Sequence, residues 1–212
     1  MATANPNTLE VETRYHFQNR AEMFAVLPFL QPCFTGVNQW TTTHYGRELF
    51  GRDIILRIGA TLRPTGNLAS LGWKGPDTGS FANIRAERDE EITNGINSSW
   101  ILELLGGVPD AVSPAAVAAE LTRLGHAPFM EFAGANQFGL LKSLNLQLKM
   151  MECPVLRWPL LLEVEKTAHT PAEALKLEQD LIHFTKQYGL VDRVVHDEPP
   201  TLLYQAVTFP GQ

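Results

Sequence analysis

Leu9-Glu10-Val11-Glu12-Thr13-Arg14-Tyr15-His16-Phe17 is the stretch whose reading decides the fold. Side chains alternate across an extended strand, so Leu9, Val11, Thr13, Tyr15 and Phe17 share one face. Glu10, Glu12, Arg14 and His16 share the other. Far along the chain, Leu160-Leu161-Leu162-Glu163-Val164-Glu165-Lys166 repeats the pattern, with Leu160, Leu162 and Val164 opposite Glu163 and Glu165. If the two strands line one cavity, four carboxylates converge. Such a cluster is tolerable only when hydrated, paired with cations or bound to metal.

The rest of the chain supplies more strands. Alternation places strands at 34–45, 53–63, 68–75 and 81–92, with Pro64-Thr65-Gly66-Asn67 and Gly75-Pro76-Asp77-Thr78-Gly79 as turns. These read as an antiparallel meander. In the last of them Asn83, Arg85, Glu87 and Asp89 share a face. Further strands are expected at 128–141, 143–151, 160–166 and 202–209.

Helices are punctuated by caps. Asn19 with Glu22, Ser98-Ser99 before Trp100, Ser113-Pro114, and Thr170-Pro171 with Glu173 each mark a helix start. Gly106, Gly125 and Gly189 mark ends. Roughly eight half-polar strands can form a sandwich with outward charges. They can also close into a barrel with a polar interior and helices on its apolar outside. Pattern alone leaves both open.

Composition narrows the class. The 212 residues read as one domain, 1–212, with an ordinary globular balance of 44% hydrophobic and 19% charged residues. A net charge of −6 argues against general nucleic-acid binding. Cys33 and Cys153 form neither a disulfide framework nor a metal-ligand spacing, which suits a reducing, cytoplasmic location. No apolar run reaches membrane-spanning length, and residues 1–8 lack the features of a signal peptide.

The motifs, taken in order, resemble a known family. Glu10-Val-Glu12-Thr-Arg14 is similar to the Glu-x-Glu-x-Lys signature that opens the CYTH domain of the triphosphate tunnel metalloenzymes. Leu56-Arg57-Ile58, Gly72-Trp73-Lys74-Gly75-Pro76, Arg85-x-Glu87-x-Asp89 and Leu162-Glu163-Val164-Glu165 resemble its later strands. The resemblance implies an eight-stranded antiparallel, tunnel-like barrel of the α+β class, binding triphosphate-containing substrates with Mg²⁺ or Mn²⁺.

It also implies roles. Glu10, Glu12, Glu87, Asp89, Glu163 and Glu165 would hold metal, and Arg14, Arg57, Lys74, Arg85 and Lys149 would bind substrate. Glu163, Glu165 and Arg57 are the catalytic candidates. Hard carboxylate oxygens suit Mg²⁺ or Mn²⁺, and guanidinium forks suit phosphate. The reaction implied first is hydrolysis of a small-molecule polyphosphate or phosphate ester, such as inorganic, nucleoside or thiamine triphosphate. Adenylyl cyclisation, which other family members perform, ranks below it because no residue signature for adenine recognition is present. No nucleic-acid or membrane partner is expected.

Departures from the family pattern support a second reading. Gly59 stands where the family has the second Arg of Arg-x-Arg, Ala133-x-Ala135 falls at its Lys-x-Arg, and Lys149 falls at an Asp, unless Gln147 or Asn145 takes that place. A barrel with fewer cations suits a non-hydrolytic binding protein, or a phosphate ester with an apolar moiety. Taken singly, Arg85 with Glu87 would be an ion pair on a solvated strand, and Lys74 a turn lysine.

Overall fold

The computed structural model describes residues 8–63 and 66–208. Its strands are β1 (Leu9–Phe17), β2 (Phe34–Tyr45), β3 (Ile55–Arg63), β4 (Gly66–Lys74), β5 (Asn83–Glu91), β6 (Pro128–Leu141), β7 (Leu146–Glu152), β8 (Leu160–Ala168) and the short β9 (Val194–Val195). Their order in the sheet is β5-β4-β3-β2-β6-β7-β8-β1-β9, and β5 also pairs with β1. The eight long strands thus form a closed antiparallel barrel, with β9 as an extra strand. The expected meander is present as β2 to β5, each paired with the next in antiparallel register.

The described residues divide into two compact units. The first holds residues Asn38–Asp77 and Arg85–Ala133, and the second Leu9–Val37, Thr78–Ile84 and the chain from Gly134 onward. In the first, Leu56, Leu71 and Tyr45 on one strand face pack with Ile101 and Leu102 of α3 (Trp100–Leu104) and Val117 and Leu121 of α4 (Pro114–Arg123). In the second, Val11, Tyr15, Phe17, Leu148, Met150, Leu162 and Val164 pack against Leu181 and Phe184 of α5 (Pro171–Gln187). Each buried side chain of this kind contributes about 1.5–3 kcal/mol of transfer free energy. In both units the helices cover the apolar strand face. Glu10, Glu12, Glu163, Glu165, Arg57, Glu87 and Asp89 lie on the opposite one. Arg88 and Glu90 instead pair on the helix-covered side of β5, where Glu90 accepts from Ser99 and Trp100.

The caps are where the sequence puts them. Asn19 accepts from the Glu22 N–H at the start of α1 (Arg20–Val26), Ser99 from Leu102, Ser113 from Ala116 and Thr170 from Glu173. One element is of the wrong type. The strand expected at 202–209 is a helix, α6 (Pro199–Thr208), and Phe209 lies outside the described residues. Pro199 and Pro200 fix helical φ where no N–H partner is needed, and Leu202 N–H closes on the carbonyl of Glu198. Leu202 and Leu203 are then buried together with both prolines, on one helix face.

A buried carboxylate ties α5 to the chain before β5. Glu178 Oε1 accepts the backbone N–H groups of Ser80, Phe81 and Ala82 at 2.9, 2.7 and 3.1 Å. Burial works against its charge, but those amides and the Ser80 hydroxyl outweigh it and hold the carboxyl below its ordinary pKa. A depressed folded pKa means stability that is complete above the ordinary carboxylate range and lost as pH falls through the folded value. Glu178→Gln keeps an acceptor but loses the charge, so it is expected to cost about 1–2 kcal/mol at neutral pH. In denaturant titrations the gap between wild type and variant should close as the pH drops below about 4.

Candidate functional site

On the polar face of β1 and β8, register does the assembly. Glu12 lies directly across from Glu165, and Arg14 across from Glu163. β7 continues the row, pairing Gln147 with Glu165 and Lys149 with Glu163. Directly paired residues point to the same side of a sheet, so the acids from the two ends of the chain do meet.

They meet as two groups. Glu10, Glu12 and Glu165 each present a carboxylate oxygen within 4.8 Å of the other two. Glu12 is buried, and Glu10 and Glu165 are half-buried. Like charges this close favour a proton, a bound cation or a neighbouring base. Three hard oxygens in this arrangement fit Mg²⁺ or Mn²⁺, so the donor set is compatible with the metal that the sequence implies.

Glu163 stands one step along and faces cations. Its Oε1 accepts from Arg14 Nε at 3.1 Å, and its Oε2 accepts from Lys149 Nζ at 2.7 Å. Burial disfavours the Lys149 ammonium, but Glu163 and Glu165 overcome this and raise its pKa.

Arg14 is fully buried and is the hub. Its Nη1 donates to Asn83 Oδ1 at 2.8 Å, and its Nη2 donates to Glu198 Oε2 at 2.7 Å and to Glu12. Burial opposes its charge most strongly, yet Glu12, Glu198, Glu163 and Glu10 together hold the guanidinium well above its ordinary pKa. All three of its guanidinium nitrogens donate to acceptors within the protein.

The first unit carries a separate row. Arg57 lies across from Gly72, and Gly72 across from Asp89. Arg57 Nη2 donates to Glu87 Oε1 at 2.8 Å and to both Asp89 oxygens at 3.3 Å. Gly72 makes this possible, since a Cβ there would lie 2.4 Å from Asp89 Oδ1 and 2.7 Å from Arg57 Nε. Lys74 Nζ sits 3.5 Å from Glu87 Oε2. Arg85 is buried and is anchored elsewhere, donating to the carbonyls of Gly75 and Asp53 at 2.8 and 3.1 Å and to Asp53 Oδ1 at 2.9 Å.

Two residues of the Arg14 hub, Asn83 and Glu198, are not among the candidates that the sequence offers. Asn83 had a signal, its place on the polar face of β5 with Arg85, Glu87 and Asp89. Glu198 had none while residues 202–209 read as a strand, because its position depends on the start of α6.

The reading of β6 requires a correction. Lys149 pairs with Phe138 and Gln147 with Leu140, which puts the even-numbered residues of this segment on the polar face. In the first unit, Phe132 meets the rings of Trp40 and His44, whereas Glu131 accepts from Thr43 at 2.9 Å on the opposite side. Ala133 and Ala135 therefore face away from the charged side. The polar-face positions are Phe132, Gly134 and Asn136.

No family model matches the sequence, and no curated protein matches it. Solved structures do. The PH1819 protein of Pyrococcus horikoshii OT3 superposes with a TM-score of 0.72 at 16% identity, over 92% of this chain and 98% of that one. A Vibrio parahaemolyticus protein provisionally assigned as an adenylate cyclase gives 0.64 at 14% identity, over 92% and 98%. HpAC1 from Hippeastrum, provisionally assigned as an adenylyl cyclase and described as having a dominant triphosphatase activity, gives 0.56 at 15%, over 94% and 96%. The chain has the CYTH fold. With that fold the alternation of Leu9–Phe17 is the opening strand, and the Glu163–Glu165 pair is its antiparallel neighbour.

Proposed function

We propose that residues 1–212 act as a single CYTH-like domain, a divalent-metal-dependent phosphohydrolase for a triphosphate-containing substrate. The observation that carries this reading is the convergence of Glu10, Glu12 and Glu165 beside the Arg14–Glu163–Lys149 row. The HpAC1 description supports the same class of substrate.

Glu10, Glu12 and Glu165 would hold the ion, which when bound offsets phosphate charge and orients a water for in-line attack. Arg14 acts on Glu12 and Glu163 as a positioning residue. Lys149 offers an ammonium to phosphate oxygens. Arg57 and Lys74 are the cations of the first unit with the same capacity, held in place by Glu87 and Asp89. Arg85 is committed to Asp53 and the Gly75 carbonyl, and its contribution is to hold the turn before β5.

The test is phosphate release from tripolyphosphate, ATP and thiamine triphosphate with Mg²⁺ or Mn²⁺. Release above a Glu165→Gln control is expected. Equal release from both proteins would end the hydrolase reading, and a cyclic nucleotide as the sole product from ATP would make the chain a cyclase.

A second reading is a binder, or an enzyme for a phosphate ester with an apolar moiety. The polar-face positions Phe138 and Leu140, both exposed large hydrophobics, favour it. Tight metal-dependent binding without turnover would select the binder.

A further inference from the structure

Within the second unit, the polar face of β7, β8 and β1 carries two neighbouring rungs of opposite character. One runs Gln147–Glu165–Glu12, contains no cation, and is joined by the carboxylate of Glu10. The other runs Lys149–Glu163–Arg14, with a cation on either side of its one acid. Residues two apart along a strand are roughly 7 Å apart, whereas paired catalytic ions stand about 4 Å from each other. Along this row, a second ion beside the first would draw on Glu163, the acid of the next rung.

Both oxygens of Glu163 already face cations. Oε1 accepts from Arg14 Nε at 3.1 Å and Oε2 from Lys149 Nζ at 2.7 Å. The Glu163 side chain is 2% exposed and that of Arg14 is fully buried, whereas Lys149 keeps 28% of its side chain exposed. A lysine ammonium is a compact point charge on a flexible stem. It supplies positive charge to a carboxylate without asking for further ligands, as a metal ion would.

Formal charge points the same way. Glu10, Glu12, Glu163, Glu165 and Glu198 set five carboxylates against the two cations Arg14 and Lys149, three negative charges in excess. Before substrate arrives, one divalent ion leaves a single negative charge in this group. A second would turn it positive, at the cost of burying uncompensated charge.

We infer that Lys149 is a resident cation that takes the place of a second divalent ion on Glu163, so that the chain holds one Mg²⁺ or Mn²⁺ and not two. This rests on the metal-dependent reading above. The position that decides the metal count is then residue 149, not the three acids that hold the ion.

The experiment counts Mn²⁺ on the full chain without substrate, by equilibrium dialysis and electron paramagnetic resonance. Glu165→Gln is the blank for ions held adventitiously by surface acids. Wild type is expected to hold one ion above that blank, with the spectrum of an isolated Mn²⁺. Lys149→Glu replaces the ammonium with a carboxylate beside Glu163 and should hold two, with the broadened signal of a magnetically coupled pair. Lys149→Met removes the charge without adding a ligand, and is the independent variant if Lys149→Glu does not fold. It should take up its second ion about tenfold or more weakly than Lys149→Glu, at least the scale on which an outer-shell partner acts. Two ions in wild type, or a single ion in wild type and in every variant that folds, would overturn the role of Lys149 while leaving the metal reading intact. No ion above the blank in wild type would overturn both.

Discussion

Arg14→Met is expected to lower the free energy of unfolding by on the order of 3–5 kcal/mol, the usual penalty for removing one partner of a buried ion pair. The reason is what the substitution leaves behind. Glu12, Glu163 and Glu198 have at most 4% of their surface exposed, and all three bond to the one guanidinium. Methionine matches the bulk but donates nothing, so these carboxylates would keep their burial and lose the cation they share. Asn83 Oδ1 would also lose its 2.8 Å donor. Denaturant unfolding at neutral pH measures the loss. Combining Arg14→Met with Glu198→Gln should recover part of it, because one buried negative charge has gone with the positive one. A cost below about 1 kcal/mol would mean that the acids are hydrated once Arg14 is removed, and that Arg14 does not organise them.

That hub also shows where the sequence is legible. Period-2 alternation is a local property, so the polar faces of β1 and β8 can be read from Leu9–Phe17 and from the Glu163–Glu165 pair without knowledge of their neighbours. Helix starts at Asn19, Ser99, Ser113 and Thr170 are equally local, since a cap needs only a residue three positions on. Two things were not local. The face of β6 rests on matching a motif, and a slip of one residue exchanges every side chain between faces. Matching Ala133 and Ala135 to the family's cations put the strand in the wrong phase, where ring contacts and ladder register put Phe132, Gly134 and Asn136. Glu198 was hidden because Leu202 to Thr208 carries apolar, aromatic and β-branched residues that suit a strand, while Pro199 and Pro200 impose a helix start. A carboxylate immediately before the first residue of such a helix reaches Arg14 across 184 positions of sequence. No pattern within a window contains that contact.

Metal-dependent activity and stability should separate cleanly between two neighbouring glutamates. Glu165→Gln removes one charge from the three-carboxylate group, and loss of a ligand there is expected to reduce metal-dependent phosphate release by on the order of 100-fold or more, at least the effect seen when only an outer-shell partner of a metal is lost. Mn²⁺ affinity, read by electron paramagnetic resonance of the free ion, should fall in parallel. The unfolding free energy should stay within about 1 kcal/mol of wild type or rise, because dispersing a cluster of like charges relieves repulsion. Glu163→Gln behaves differently. Its two oxygens receive Arg14 and Lys149, so the substitution leaves a fully buried guanidinium with one fewer counter-charge and frees the ammonium of Lys149. A measurable loss of stability, about 2 kcal/mol or more, should accompany any loss of turnover. If instead Glu165→Gln leaves Mn²⁺ affinity unchanged and Glu163→Gln abolishes it, the ion belongs with the Arg14–Lys149 row. The Glu10–Glu12–Glu165 group would then be an acidic cluster without that role.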